Sequence, residues 1–217
     1  MKDTYWTITA STIGEFKDKG SKFIAYTCPL QEEPMREFAE FMENTRKLHP
    51  KARHFCYAWR VGMDKNAYRS NDDGEPSGTA GKPILGQIDS FGLTNVAVIV
   101  VRYFGGTLLG TSGLINAYKK ATAEALKEAI LIEKILMFYY TITFGYDKMP
   151  DVMNSLKLLQ IDVVKQSFTD KGEITIAIRQ SQSTQIIREL WANIFKISVE
   201  SVEKYVDTEG VEIVQQE

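Results

Sequence analysis

Hydrophobic and polar residues follow clear periods in the second half of the chain. Tyr140, Ile142 and Phe144 alternate with threonines, which is the period-two pattern of a half-buried strand. From Met149 onward, apolar residues recur at three- and four-residue spacing, which predicts an amphipathic helix. The predicted elements are, in order, a strand at 140–146, a helix at 149–159, strands at 161–169 and 173–179 joined by a turn, a helix around 187–194 and a strand at about 197–206. This order is that of a ferredoxin-like domain.

The first half is predicted to form a separate α/β domain around one buried strand. Residues 96–101 are a continuous β-branched run suited to the centre of a sheet, and residues 54–61 alternate large rings with smaller or polar groups. The other predicted elements are strands at 5–9 and 21–27, a helix at 33–48, a polar loop at 63–78, a short helix at 79–91, a glycine-rich loop at 104–113 and a long helix that follows it. We therefore expect two α/β (α+β) domains, at 1–134 and 135–217.

The composition narrows the class of protein. No apolar run approaches the roughly 20 residues of a membrane span, and the first residues carry charge where a secretion signal would be apolar. Cys28 and Cys56 provide neither a disulfide framework nor a four-cysteine zinc site. We expect a cytoplasmic protein with no membrane contact, and the sequence leaves its oligomeric state open.

Charge is distributed unevenly along the chain. Residues 1–132 hold 17 lysines and arginines against 15 acidic residues, whereas the remainder holds 9 against 13. Non-specific binding to nucleic acid depends on neutralising phosphates with many cations, which this balance does not supply. Any nucleic-acid binding should therefore be confined to a local surface of the first domain.

An acidic turn is the first candidate for chemistry. Asp72, Asp73 and Glu75 crowd three carboxylates into four positions, which raises their proton affinity unless cations or hydrogen-bond donors offset the repulsion. Thr79 and Lys82 follow directly. A solvated turn is the plain alternative, because glycine and proline are interleaved with these residues. No cofactor is expected, with a magnesium ion at Asp72 or Asp73 as the alternative.

A glycine-rich loop after the buried strand is the second candidate. The strand ends in Arg102, and after Tyr103 the loop with Gly105 and Gly106 leads towards a helix whose N-terminal N–H groups would suit an anion. The spacing matches neither the phosphate loop of nucleotide hydrolases nor the dinucleotide-binding pattern. The glycines could equally serve only to turn the chain.

A basic, aromatic stretch at 46–60 is the third candidate. Its cations and rings resemble a nucleic-acid surface, although rings that share one strand face are better explained by burial. His54 should point to the other face, beside Cys56. A zinc site made of Cys28, His54 and Cys56 lacks a fourth ligand and the usual ligand spacing. Lys22 adds a further candidate cation.

Together these segments resemble the Impact/YigZ family from about Lys19 to Tyr118. The sequences DDGEPSGTAGKPIL at 72–85 and VVRYFGGTLLGTSGLINAY at 100–118 reproduce two motifs of that family, and residues 52–60 resemble a third. Lys22 departs from the arginine that the family often has there, which puts a bidentate contact in doubt.

The resemblance implies a fold for each half. The first would be similar to the second domain of ribosomal protein S5, and the second to the last domain of elongation factor G. Eukaryotic relatives are similar only in the first domain and are linked to control of a translation-regulating kinase. They carry a different partner-binding domain, so that role does not transfer. By analogy, the family suggests binding to RNA or the ribosome.

Three functional hypotheses follow from the motifs. The leading one is a translation-associated protein that contacts RNA, the ribosome or translation factors through a cleft between the acidic turn and the glycine-rich loop. The alternatives are a hydrolase-type enzyme that acts through the acidic turn on a phosphorylated or acyl substrate, and a protein-interaction module in the second domain. The candidate binding residues are Lys22, His54, Asp72, Asp73, Glu75, Thr79, Lys82, Arg102, Tyr103, Gly105 and Gly106.

Overall fold

The computed structural model describes residues 3–64, 66–204 and 210–216. The chain divides into two compact units. The first unit comprises residues 5–134, and the second comprises residues 135–217 together with the first few residues of the chain. Asp3 and Thr4 thus group with the second unit, whereas the sequence-based division began the first domain at residue 1. No helix among the described residues is long and apolar enough to cross a bilayer.

The first unit is built on an antiparallel sheet of five strands in the described residues, ordered β2-β3-β6-β4-β5. The elements of this unit and its connection to the next are β1 (Thr4–Ile8), β2 (Ile13–Asp18), β3 (Ser21–Pro29), α1 (Pro34–Leu48), β4 (His54–Val61), β5 (Ala67–Asn71), α2 (Gly81–Ser90), β6 (Val96–Tyr103), α3 (Gly110–Lys127) and β7 (Leu131–Ile135). The predicted central strand is confirmed, because β6 is buried along nearly its whole length.

Helices cover both faces of this sheet. On one face, α2 and α3 pack their apolar residues, among them Ile84, Ile88 and Tyr118, against Val98 and Val100 of β6. On the other face, α1 packs against a smaller cluster centred on Phe55, Ile99 and Val101. Alternate residues of each strand therefore enter different cores, which determines where each candidate side chain points.

Two edge strands escaped the sequence analysis. The predicted loop at 63–78 contains β5, which pairs with β4, and β2 pairs with β3 at the opposite edge of the sheet. Most residues of β5 are exposed, so the strand shows none of the apolar alternation that burial of one face produces. Pairing with a neighbouring strand, rather than burial, defines this element.

The second unit has the predicted ferredoxin-like order. Its described sheet is antiparallel, with strands in the order β11-β8-β10-β9, and α4 and α5 supply apolar residues to its core. The elements are β8 (Met137–Phe144), α4 (Met149–Leu158), β9 (Asp162–Phe168), β10 (Gly172–Arg179), α5 (Ser183–Phe195) and β11 (Val211–Gln215). Short 3-10 turns follow β10 and α5.

The predicted position of the last strand is wrong. Residues 199–204 form a 3-10 helix, and the strand that completes the sheet is β11, which pairs with β8 from Val211 onward. The end of the predicted segment, at 205–206, lies outside the described residues. The apolar positions near residue 200 favoured a strand locally, but the sheet edge is filled by a later segment.

Candidate functional site

Asp72 holds the beginning of α2. One carboxylate oxygen accepts hydrogen bonds from the backbone N–H groups of Ala80 and Gly81 at 2.9 and 2.8 Å, and the other accepts from Gly78 at 2.9 Å. These donors belong to the turn before the helix and to its first residue, where N–H groups have no partner within the helix. Asp72 therefore fixes the turn to α2.

The environment of Asp72 favours its charged form. Burial by itself raises the pKa of this carboxyl, but the N–H groups of Gly78, Gly81 and Ala80 and the charge of Lys82 outweigh it. The pKa of Asp72 consequently lies below its ordinary value. The carboxylate is ionised, and its negative charge is already compensated by the turn that it organises.

Asp73 ties the same turn to the start of β4. Its carboxylate accepts a hydrogen bond from the backbone N–H of Phe55 at 2.7 Å and lies 3.6 Å from the Arg46 guanidinium. Its carbonyl oxygen lies 2.9 Å from Nδ1 of His54. Because a carbonyl only accepts hydrogen bonds, Nδ1 carries the proton, and Nε2 is unprotonated in the neutral ring.

Glu75 and Arg102 join the acidic turn to the end of β6. Nη1 of Arg102 donates to the two Glu75 oxygens at 2.6 and 2.9 Å, and the Tyr118 hydroxyl donates to Oε1 at 2.7 Å. The side chains of Arg102 and Glu75 are only 7% and 3% exposed. The acidic turn and the end of β6 do lie together, as the leading hypothesis required. The charges of Glu75 and Arg102, however, are buried and bind each other.

The surroundings of Tyr118 keep its proton in place. Burial, and after it the neighbouring Cys56 and Glu75, raises the pKa of Tyr118. Burial likewise raises the pKa of the Cys56 thiol, whose sulfur lies 3.2 Å from the Tyr118 hydroxyl and 2.9 Å from the carbonyl oxygen of Asp72. Since thiolate is the reactive and metal-binding form of cysteine, Cys56 is a structural residue.

Arg102 also reaches towards the surface. Its guanidinium carbon lies 5.4 Å from the ring of Phe23 in the core and 5.6 Å from the ring of Phe104, which is 56% exposed. Nε of Arg102 is buried and has no hydrogen-bond partner among the described residues. The buried guanidinium of Arg102 therefore packs against the exposed ring of Phe104.

The backbone of the glycine-rich loop packs directly against the backbone of the turn before β3. A Cβ on Gly105 would lie 1.9 Å from the carbonyl carbon of Gly20, so the backbones touch, and the N–H of Gly105 donates to the Ser21 hydroxyl at 3.1 Å. Gly106 has a φ of 87°, a conformation that glycine adopts readily. Beyond it, α3 begins at Gly110 with no described side chain capping its first turn.

Other predicted residues have different roles or positions. Thr79 is buried, and its hydroxyl donates to the Pro76 carbonyl at 2.7 Å, so it stabilises the turn. Lys82 is exposed in the first turn of α2. Lys22 and Tyr103 are cross-strand partners on the face of the sheet that α1 covers, opposite to Arg102. The predicted residues therefore belong to two faces of the sheet rather than to one cleft.

The predicted candidates did not include Tyr118, which the structure places at Glu75, or Phe104, which it places at Arg102. Tyr118 lies on the apolar stripe of α3, and only its hydroxyl distinguishes it from a plain core residue. Phe104 had a visible signal, because a large ring between a strand end and two glycines has no core to enter.

The magnesium ion suggested for Asp72 and Asp73 remains a prediction. Both carboxylates already accept backbone hydrogen bonds, three at Asp72 and one at Asp73, so a metal ion would compete with the turn for their lone pairs. The described residues contain no group of three histidine, cysteine or acidic side chains placed to hold a metal. For the enzyme alternative, the same bonds occupy the carboxylates proposed as general bases.

Known proteins resemble both units. Residues 19–126 match the Impact N-terminal domain. The IMPACT family member YvyE of Bacillus subtilis (strain 168) is 31% identical over 183 residues, which cover 84% of this chain and 83% of the relative. The IMPACT family member YigZ of Escherichia coli (strain K12) is 37% identical over 150 residues, covering 68% and 72%. A crystal structure of a hypothetical protein is 26% identical, covers 100% of this chain and 99% of its own, and has a TM-score of 0.67.

Proposed function

The chain belongs to the Impact family, and on that premise we propose that it is a translation-associated regulatory protein of the cytoplasm that binds RNA, free or within the ribosome. The binding region is a part of the first unit that we call the loop surface. It consists of the exposed loop 104–108, the first turn of α3 at 110–112 and Lys82 of α2.

The observation that supports this proposal best is the exposed ring of Phe104 beside an uncapped helix. Bases of single-stranded RNA stack on aromatic rings, and stacking needs no particular sequence. The N–H groups at the start of α3 have no side-chain cap in the described structure, and such groups bind phosphate readily. Lys82 is an exposed cation in the first turn of α2, the helix that shares a core with α3.

Within this proposal Arg102 is a positioning residue. Its Nη1 is bound to Glu75 in the core, so it is not free to contact a phosphate as the leading hypothesis supposed. It stabilises the base of the loop and lies under the ring of Phe104. The acidic turn has a similar role, because Asp72 and Glu75 fix α2 and the end of β6 relative to each other.

The link to translation rests on analogy. The family resemblance implies that the first unit is similar to the second domain of ribosomal protein S5, and the second unit has the element order that the implied likeness to the last domain of elongation factor G requires. Fold likeness alone does not establish an activity, so the binding experiment below decides the proposal.

The proposal is tested by measuring binding to short single-stranded RNA and to purified ribosomes at two salt concentrations. Phe104→Ala should weaken RNA binding by about 1–3 kcal/mol, which is the usual contribution of one stacked base. Lys82→Ala should weaken binding less and reduce the slope of log affinity against log salt by about 1, since one phosphate contact is lost.

Matched controls lie in the second unit. Phe168 is also an exposed phenylalanine, and Lys165 is an exposed lysine on the same strand, so Phe168→Ala and Lys165→Ala should leave RNA affinity unchanged. Absence of binding to both RNA and ribosomes at low salt would overturn the proposal. Equal losses in the controls would also contradict it, because binding would then not be located at the loop surface.

A further inference from the structure

A second polar cluster lies on the opposite face of the sheet from the Glu75–Arg102 pair. Lys22 of β3 and Tyr103 of β6 are direct cross-strand partners. Successive residues of a strand point to opposite faces, so the neighbours Phe23 and Arg102 enter the core under α2 and α3. Lys22 and Tyr103 instead lie with α1, whose C-terminal end places His49 beside them.

His49 bridges two tyrosines in this cluster. Its Nε2 lies 2.7 Å from the hydroxyl of Tyr26, and its Nδ1 lies 2.9 Å from the hydroxyl of Tyr103. The imidazole ring also packs against both phenol rings, with centroids 5.4 and 5.8 Å away. All three side chains are half-buried, so the cluster borders solvent.

The hydroxyls of Tyr26 and Tyr103 have more O–H donors than the His49 ring can accept. A neutral imidazole has one N–H donor and one acceptor nitrogen. One tyrosine hydroxyl must therefore donate to the ring, while the other accepts from it and has no acceptor for its own O–H among the described residues. When the ring is protonated, both nitrogens donate, and both tyrosine O–H groups are in that position. The cluster thus has one donor for a ligand when His49 is neutral and two when it is charged.

The ammonium group of Lys22 could exchange its present partner, Glu15, for a bound anion. Its ammonium group lies 2.7 Å from Glu15, and the two side chains are 38% and 40% exposed. Exposed ion pairs of this kind contribute little stability, so a stronger anionic partner would replace the contact at small cost. Glu15 also lies 3.0 Å from Lys17, so it keeps a partner when Lys22 turns away.

We infer that Tyr26, His49, Tyr103 and Lys22 form a binding site for a phosphate group. Hydroxyl donors, an imidazolium and an ammonium together supply the charge-assisted hydrogen bonds that phosphate oxygens accept. The site lies on the face of the sheet opposite to Arg102, which contacts Phe104 of the loop surface, and the inference does not depend on the proposed function. A phosphate on RNA and a phosphate on a small molecule share this chemistry, and the experiment below distinguishes them.

Protonation of His49 should be coupled to binding. Burial first, and then the charge of Lys22, lowers the pKa of His49, so the ring is neutral at neutral pH. The groups that face it are Tyr26 and Lys22 from β3 and Tyr103 from β6, with Glu15 of β2 beyond Lys22. On α1, the charge of Arg46 is directed to Asp73. A bound phosphate favours the imidazolium, so affinity should fall as pH rises through the pKa of His49.

The chain has only two histidines, which makes NMR a direct test. The pKa of each imidazole is measured from its ring-proton shifts, with and without inorganic phosphate, at constant ionic strength set by chloride. A His54→Gln variant assigns the two signals. Phosphate should raise the pKa of His49 and leave that of His54 unchanged, because His54 lies on the other face of the sheet.

Variants separate binding from a purely structural role. Tyr103→Phe and Lys22→Gln should each weaken phosphate binding roughly tenfold, the loss expected when one hydrogen bond to a charged group is removed. Tyr139→Phe, an exposed tyrosine of the second unit, should have no effect. Lys22 is partly exposed at the beginning of β3, so its variant tests the site even if Tyr103→Phe weakens the fold.

Two outcomes would overturn the inference. One is a His49 pKa that phosphate does not move, which would make the three rings a structural link between α1 and the sheet. The other is an equal shift of both histidines, which would indicate general ion binding. If the shift occurs, repeating it with a short single-stranded RNA identifies the source, since RNA acting at lower concentration than phosphate favours a nucleic-acid phosphate.

Discussion

Two arginine–carboxylate pairs on the same face of the sheet differ in what surrounds the carboxylate. Arg60 of β4 binds Asp89 through two parallel contacts of 2.6 and 2.9 Å, and Arg102 of β6 binds Glu75 at 2.6 and 2.9 Å. Both arginine side chains are 7% exposed. Asp89, however, is 41% exposed at the end of α2, whereas Glu75 is 3% exposed and hydrogen-bonded to Tyr118.

Contact lengths do not distinguish the two pairs, so we expect burial of the acid to decide how much each pair contributes to stability. Water can solvate the exposed side of Asp89, and Arg60 also lies over the ring of Tyr68 at 5.3 Å. The Glu75–Arg102 pair has no such access to water, so each charge depends on its partner. The same two residue types therefore differ in their expected importance for stability.

The largest expected effect is that of Glu75→Ala. This change leaves the buried Arg102 charge without its carboxylate, and breaking a buried pair costs about 3–5 kcal/mol. Urea unfolding of the first unit, followed by tryptophan fluorescence, measures the loss. A loss under about 1 kcal/mol would show that the pair is far better solvated than its burial indicates.

The next largest effect is expected for Tyr118→Phe. The change keeps the ring in the core but removes the hydroxyl that donates to Glu75, and hydrogen bonds to charged groups contribute about 1.5–3 kcal/mol. Combining it with Glu75→Ala should give less than the sum of the two single losses, because both act on one network. Additive losses would mean that the hydroxyl acts on something other than Glu75.

Asp72→Ala should cost about 1 kcal/mol at neutral pH, as loss of a helix cap does. The pKa of Asp72 is lowered in the folded protein, so its stabilisation is present above the ordinary value of 3.8 and disappears as pH falls through the lower folded value. The stability difference between wild type and variant should therefore stay constant down to about pH 5 and shrink below pH 4. A difference that grew on acidification would have the wrong sign.

The smallest effect is expected for Asp89→Ala, at about 1 kcal/mol or less, because water replaces an exposed carboxylate. It is the matched control for Glu75→Ala, since each change removes the acid from a buried arginine. Comparable losses from the two variants would contradict the distinction drawn above.

The fold was predictable where periodicity was strong. The ferredoxin-like order and the buried strand β6 both follow from apolar spacing, and both are confirmed. The edge strand β5 was not predictable in this way, because its side chains are largely exposed and carry no alternation. The short alternation of Val211, Glu212 and Ile213 was a local signal for the strand that completes the second sheet, but the segment at 197–206 carries a competing pattern of β-branched residues.

The site was predictable as two motifs but not as an arrangement. The sequence motifs predicted Arg102 and Tyr103 in one cleft at the strand end, whereas β6 continues to Tyr103 and sends the two side chains to opposite faces of the sheet. The sequence also did not distinguish which carboxylate of the acidic turn would be buried. Glu75 is the buried one, because the hydroxyl of Tyr118, 43 positions further along the chain, donates to it in the core.

Strands β1 and β7, which begin and end the first unit, pair with each other. The N–H of Leu136 donates to the carbonyl oxygen of Asp3 at 2.7 Å, so the segments that flank residues 5–134 are already tied to each other. Residues 5–134 are thus an insertion in the sequence of the second unit. Excising it and joining the flanks with a short turn would preserve the remaining backbone, which a simple cut at residue 134 would not.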